Sequence, residues 1–161
     1  MSEPIFQYTV DEKGRKDAYG WIATAYGAID LLNPSTDQVD IRDIISALPH
    51  VNRFGGQTSI PYSGAAHSLA LYQYGRFELG IKDPGELAWA LLHDAAEAYL
   101  GDLPSPIKKI MPSFCELEDK LLAVIAEKFQ LPEEMPQWLK IADKQIVHIE
   151  ADQLFRVKPD W

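Results

Sequence analysis

Cysteine is almost absent from this chain. Cys115 stands alone, which excludes an intramolecular disulfide and suits a reducing cytoplasm. A cationic surplus is missing too: 15 Lys and Arg face 24 Asp and Glu among 161 residues, a net charge of −9. Nucleic-acid-binding surfaces concentrate Lys and Arg on one face, so no nucleic-acid partner is expected. No apolar run approaches spanning length, and Met1-Ser2-Glu3-Pro4 lacks the basic-then-apolar start of a signal peptide. A cytoplasmic protein without a membrane partner is the expectation. Repeats, low-complexity tracts and long linkers are lacking as well. So are His-Glu-x-x-His, a Walker loop, a Gly-x-Ser-x-Gly elbow and a Cys-x-x-Cys pair. Gly55-Gly56 has neither the preceding strand nor the third glycine of a dinucleotide fingerprint. A phosphorylated small molecule stays open, because an acidic protein can hold one through a metal ion and a few local cations.

What is present reads mostly as helix. Asp11 to Asp17 forms a polar turn between short aromatic segments and suggests a small hairpin, and Asn33-Pro34-Ser35-Thr36 forms a second turn. Asp40 can cap a short helix to about Leu48, followed by the loop Asn52-Arg53-Phe54-Gly55-Gly56-Gln57. Ser63 can cap a helix that contains His67 and ends at Gly80. Asp83-Pro84-Gly85-Glu86 is a strong helix start, and that helix is expected to run unbroken to Gly101 with Leu87, Ala90, Leu91, Ala95 and Ala98 inward. Ser113 to Glu116 matches a capping box ahead of Leu117, Leu121, Leu122, Ile125 and Phe129, with Cys115 as a small packing residue. A last helix after Pro132 and Pro136 would turn Leu139, Ala142, Ile146 and Ile149 inward. The fold class expected is all-α, a helical bundle with a small N-terminal β-hairpin.

The chemistry concentrates in His93-Asp94, with Glu97 three residues on, in a segment otherwise rich in Leu and Ala. Burying an imidazole and a carboxylate is costly unless something pairs with them, and a divalent metal binds both. Neighbours on a helix diverge by about 100°, so His93 and Asp94 can approach one ion from two directions. Glu97, one turn along, is placed to act as base on a water or as acid on a leaving group. His67 on the preceding helix and Asp143 on the last complete a mixed set of two His and two Asp. That set suits zinc, cobalt, manganese, iron or magnesium about equally. Each residue also has a plainer reading: His67 as a packed histidine, Asp143 as surface charge, Glu97 as a solvated carboxylate. His50 and His148 keep that plainer reading. Joint occurrence on three helices favours the metal site.

The ordered set His67, His93-Asp94 and Asp143 resembles the ligand set of the HD-domain phosphohydrolases. His93-Asp94-Ala95-Ala96-Glu97 through Gly101-Asp102-Leu103-Pro104-Ser105-Pro106-Ile107-Lys108 is similar to the segment shared by bacterial 5′-deoxynucleotidases and phage dATP triphosphohydrolases. Arg53-Phe54, fourteen residues ahead of His67, is similar to their Arg-aromatic pair. The resemblance covers roughly residues 40 to 155 and implies a single HD-type domain over 1–161, residues 1–39 being an extension with turns or a short hairpin.

By that resemblance His67, His93, Asp94 and Asp143 hold a divalent ion (zinc, cobalt, manganese or magnesium), and Glu97 handles the proton at the attacking water or leaving oxygen. Asp102 positions the nucleotide sugar or a water. Arg53, Lys108 and Lys140 face phosphate oxygens, the two lysines having a solvated surface cation as their plainer reading. Phe54 stacks on a base with Pro106 closing the other side, or belongs to the core. Trp21-Ile22 is an alternative pocket wall. The activity expected first is hydrolysis of dATP, or a related deoxynucleoside triphosphate, to deoxynucleoside and triphosphate. The alternative is a 5′-deoxynucleotidase releasing phosphate from monophosphates, and a non-catalytic nucleotide-binding module ranks below both. The phage enzymes carry a bulky aliphatic residue where this chain has Gly56, which leaves base specificity open. The resemblance further implies a homo-oligomer in a bacterial or phage-infected cytoplasm.

Overall fold

The computed structural model describes residues 9–10, 16–17 and 20–157. Two short antiparallel pairs lead the chain. β1 (Thr9–Val10) pairs with β2 (Lys16–Asp17), and β3 (Trp21–Ala23) pairs with β4 (Ala28–Asp30) in the register Trp21↔Asp30, Ile22↔Ile29, Ala23↔Ala28. The expected hairpin is therefore present as β1–β2, while the turn residues 11–15 lie outside the described residues. The remainder is helical: α1 (Ile41–Ala47), α2 (Gly64–Gln73), α3 (Pro84–Leu92), α4 (Glu97–Leu100), α5 (Ser105–Lys108), α6 (Pro112–Lys128) and α7 (Gln137–Leu154). The expected mostly helical class is what the structure has.

Local chemistry explains most helix starts. Asp40, Ser63 and Asp83 each turn a side-chain oxygen onto the first-turn N–H groups of α1, α2 and α3. α6 departs from the expected capping box. It begins at Pro112, whose fixed φ and missing N–H suit the first helical position, so Ser113 lies inside the helix and does not cap it.

Two apolar clusters hold the helices together. One joins Ile29, Val39 and Ile44 to Ala95, Ala96 and Tyr99 and to Leu121 and Ile125 of α6. The other joins Leu71 of α2 with Trp89 and Ala90 of α3 and with Leu139 and Ala142 of α7. Leu122 packs against both. The inward face of α7 is rotated from expectation: Ile149 is 56% exposed, whereas Glu150, Ala151 and Leu154 are buried. α2 packs mainly on α3, with α7 across it, and these three helices enclose the polar cluster described below.

An apolar cleft of about 310 Å³ opens on another side of α2, lined by Ile41, Ile45, Leu48, Leu69 and Leu91. Among the described residues no helix is long and apolar enough to cross a membrane.

Candidate metal centre

His93 and Asp94 do not lie inside one continuous helix. α3 stops at Leu92, a turn spans residues 93–96, and α4 resumes at Glu97. The dihedral angles at His93 and Ala96 remain right-handed helical, but the hydrogen bonds tighten. Ala95, Glu97 and Ala98 donate to carbonyls three residues back (Leu92, Asp94 and Ala95) instead of four. Ala95 and Ala96 are almost fully buried, so the tightened turn packs against the core while His93 and Asp94 enter the polar cluster. Gly101, at φ +77°, then redirects the chain toward Asp102 and α5.

The four ligand-type residues converge. His67 Nε2 lies 3.2 Å from His93 Nε2, 3.1 Å from Asp143 Oδ1 and 3.7 Å from Asp94 Oδ2. His93 Nε2 lies 3.3 Å from Asp94 Oδ2 and 4.0 Å from Asp143 Oδ1. Both imidazoles are buried, His67 completely.

The tautomers follow from the outer partners. His93 Nδ1 is 3.1 Å from the Ala90 carbonyl oxygen, which can only accept, so the ring proton sits on Nδ1. His67 Nδ1 is 2.7 Å from Glu150 Oε1, another acceptor. In their neutral forms both histidines therefore turn Nε2 lone pairs toward each other and toward two carboxylates. Such a knot of acceptors requires a cation. Ligand atoms around a tetrahedral zinc are ~3.3 Å apart, close to the shorter separations here. Two His and two carboxylates fit a divalent ion, and His67, His93 and Asp143 alone form a compact ligand-type group. Without a metal, a proton serves instead. Burial opposes the imidazolium of His67, but hydrogen bonds to Asp143 and Glu150 outweigh it and push the pKa up to about 9. Burial likewise opposes the charge on Asp94, yet His93, His67 and Arg53 hold it well below the usual carboxylate range.

Glu97 is the opposite case. It is 3% exposed, and its Oε2 has no hydrogen-bond partner among the described residues. Burial first, then repulsion from Asp94 and Asp102, pushes its pKa up to about 9 against the pull of Lys108 and Arg53.

Lys108 lies 3.6 Å from Glu97 Oε1 and donates to Glu118 Oε1 at 2.7 Å, so its ammonium borders the site while tied to a neighbour on α6. Asp102 is half-buried, and burial raises its pKa against the pull of Arg53 and Lys108. Phe54, Gly55 and Gly56 form a left-handed turn, all having positive φ, with Phe54 at +57°. A bulky residue in this region is strained, and such strain concentrates at functional loops.

Arg53 opens this turn. Its Nη1 is 3.3 Å from Asp94 Oδ2 and its Nε donates to Glu150 Oε2 at 3.2 Å. Phe54 packs edge-on to Phe155 at 5.3 Å, which supplies the core contact weighed as an alternative to stacking. Gly56 is exposed, and no atom lies within 4 Å of where a Cβ would stand. Pro104 is the proline beside this turn, 3.7 Å from the Cβ position of Gly55, while Pro106 is exposed. Lys140, one turn before Asp143, is exposed and makes no ion pair among the described residues. Trp21 and Ile22 belong to β3, and Ile22 packs on the first apolar cluster.

Glu150 and Tyr62 are the polar residues that sequence reasoning missed. Glu150 follows Asp143 by seven residues, two helical turns on the same face of α7, a spacing that would have revealed it.

The chain is similar to proteins of the family described as 5′-deoxynucleotidase YfbR-like, whose family model matches residues 57–156. An uncharacterized protein of Rhodobacter capsulatus is 39% identical over 134 residues, covering 78% of this chain and 68% of its own length. The uncharacterized Escherichia coli protein YfdR is 40% identical over 119 residues, covering 73% and 62%. A 5′-deoxynucleotidase of Photobacterium profundum is 35% identical over 81 residues, covering 45% of this chain and 41% of that enzyme. The chain thus spans about two thirds of the first two relatives and well under half of the third. His67, His93, Asp94, Glu97 and Asp143 all fall within the matched residues, and the chain belongs to the YfbR-like family of HD-domain, metal-dependent phosphohydrolases.

Proposed function

We propose that the protein is a 5′-deoxynucleotidase that releases phosphate from deoxynucleoside monophosphates. The observation that carries this reading is the convergence of two buried His and two partly buried Asp, with the buried carboxyl of Glu97 three residues beyond Asp94. The 5′-deoxynucleotidase names of its relatives support the monophosphate substrate. They support no dATP triphosphohydrolase, so the order expected from the sequence is reversed.

His67, His93, Asp94 and Asp143 would hold the ion. Two imidazoles favour zinc, cobalt or manganese over magnesium, which prefers oxygen ligands. Such an ion, when bound, supplies Lewis-acid stabilisation of phosphoryl oxygens and acidifies water for attack. The chain's own residues do the rest. Arg53, anchored by Glu150 and Asp94, keeps further N–H donors for the phosphate, and Lys108 adds positive charge beside it. As a water oxygen bonds to phosphorus and the P–O5′ bond breaks, Glu97 would give its proton to the departing 5′ oxygen and take one back from the attacking water, so that nucleoside and inorganic phosphate leave with Glu97 restored. Asp102, within the electrostatic reach of Arg53 and Lys108, would position the nucleotide sugar or a water. The open space at Gly56 gives bases of different size room, so several deoxynucleotides serve as substrates.

The reading includes a single domain over residues 1–161, a small-molecule partner, a cytoplasmic location and a homo-oligomer. A panel of deoxynucleoside mono- and triphosphates, incubated with the zinc-, cobalt- or manganese-loaded protein, tests the chemistry by its products. Inorganic phosphate from monophosphates alone is the expected result. Triphosphate plus nucleoside would restore the other order, and no turnover with any divalent ion would overturn both.

A further inference from the structure

Glu150 sits on α7 with a relative exposure of 4%, and among the described residues its carboxylate bonds to His67, Arg53 and Tyr62. Its Oε1 accepts from His67 Nδ1 at 2.7 Å and from the Tyr62 hydroxyl at 2.9 Å. Its Oε2 accepts from Arg53 Nε at 3.2 Å. Arg53 then reaches Asp94 with Nη1. One carboxylate therefore fixes a ligand histidine and the arginine that touches a ligand aspartate.

A carboxylate this deep is costly unless it is fully paired. Here the pairing is complete, since both oxygens have donors from three separate segments. Tyr62 lies just before α2, Arg53 opens the left-handed turn, and His67 is on α2. The N–H of Arg53 also bonds to the Tyr62 carbonyl at 2.9 Å, so the two donor residues are paired through the backbone as well.

We propose that Glu150 is a positioning residue that sets the tautomer and aim of His67 and couples the metal centre to Arg53. Its negative charge keeps the proton on His67 Nδ1 and makes Nε2 a stronger donor toward the ion. The same charge holds Arg53 in reach of Asp94 and of a phosphate arriving at the metal. Carboxylate-to-histidine contacts of this kind typically change metal affinity by about 10- to 100-fold when removed. Seven residues separate Glu150 from the ligand Asp143, so one rigid helix face carries both a ligand and the support of another. The inference rests on the metal-site part of the proposed function and is independent of the substrate.

The test is zinc and cobalt affinity, measured by competition with a chromophoric chelator, for the wild type, Glu150→Gln and Glu150→Asp. Both variants should bind at least about tenfold more weakly while keeping wild-type circular dichroism. Glu150→Asp keeps the charge opposite Arg53 and carries the test if Glu150→Gln does not fold. Nitrogen-15 correlation spectra of the zinc-loaded wild type give a reading that needs no variant. His67 should show a protonated Nδ1 and a metal-bound Nε2. Wild-type affinity in either folded variant, or a His67 whose Nδ1 binds the zinc, would overturn the proposal. Absence of metal binding by the wild type would instead overturn the metal site itself.

Discussion

α2 borders two hollows of opposite character. On one side His67 meets His93, Asp94, Asp143 and Glu150, all within hydrogen-bonding or ion-pair reach. On the other, Leu69 and Ala65 join Ile41, Ile45 and Leu91 around the apolar cleft. The cleft is roomy, yet its residues offer a phosphate almost nothing. Among the described residues Ser68 brings the only side-chain hydroxyl in its lining, and that oxygen is buried. Space alone is therefore a poor guide to the site here. Charge that must be neutralised is the better one.

The largest expected effect lies on the polar side. Asp94→Ala should weaken metal binding by more than about 100-fold and remove turnover, because a ligand outweighs any outer contact. Unchanged metal content by elemental analysis would erase the distinction between the hollows. Glu97→Gln should leave metal in place and lower turnover by about 10²- to 10⁴-fold, the range for a lost general acid. Equal loss of metal in that variant would make Glu97 a ligand.

A smaller effect separates the sides by pH. In the chelated protein His67 and Glu97 both hold protons more tightly when folded, each being raised to about 9 from ordinary values of 6.5 and 4.5. A raised pKa gives stability that is present below the unfolded value and fades as pH climbs through the folded one. The melting temperature in chelator should therefore fall between pH 6.5 and 9. A rise over that window would contradict the assigned proton positions. The lowered carboxylates Asp94, Asp143 and Glu150 act in the acid range and leave this window alone. Smallest of all, Ile45→Ser on the cleft wall should shift stability by about 0.5 kcal/mol at most and leave turnover unchanged. A large loss of activity there would make the cleft part of the site.

The legibility of the chain divides along a physical line. Helix starts depend on a few adjacent residues, so Asp40, Ser63 and Asp83 could be read directly, and the ligand types His67, His93, Asp94 and Asp143 do meet in space. The break at residues 93–96 could not be read, because Ala95 and Ala96 are good helix formers and the tightening comes from packing against the core. Proline at the first position of α6 overrode a plausible serine cap. Assigning Ile149 to the apolar stripe of α7 hid Glu150, its inward neighbour, and the Arg53 contact spans 97 residues of sequence. The spacing from Asp143 marked the face of Glu150, but not its partners, which lie far away in sequence.

The most direct measurement is phosphate release from deoxynucleoside monophosphates by the chelated protein as zinc, cobalt or manganese is added back. The account predicts none before addition and a rise that saturates at a single ion per chain. Equal release with and without chelation would contradict it, as would an absence of release at full metal occupancy.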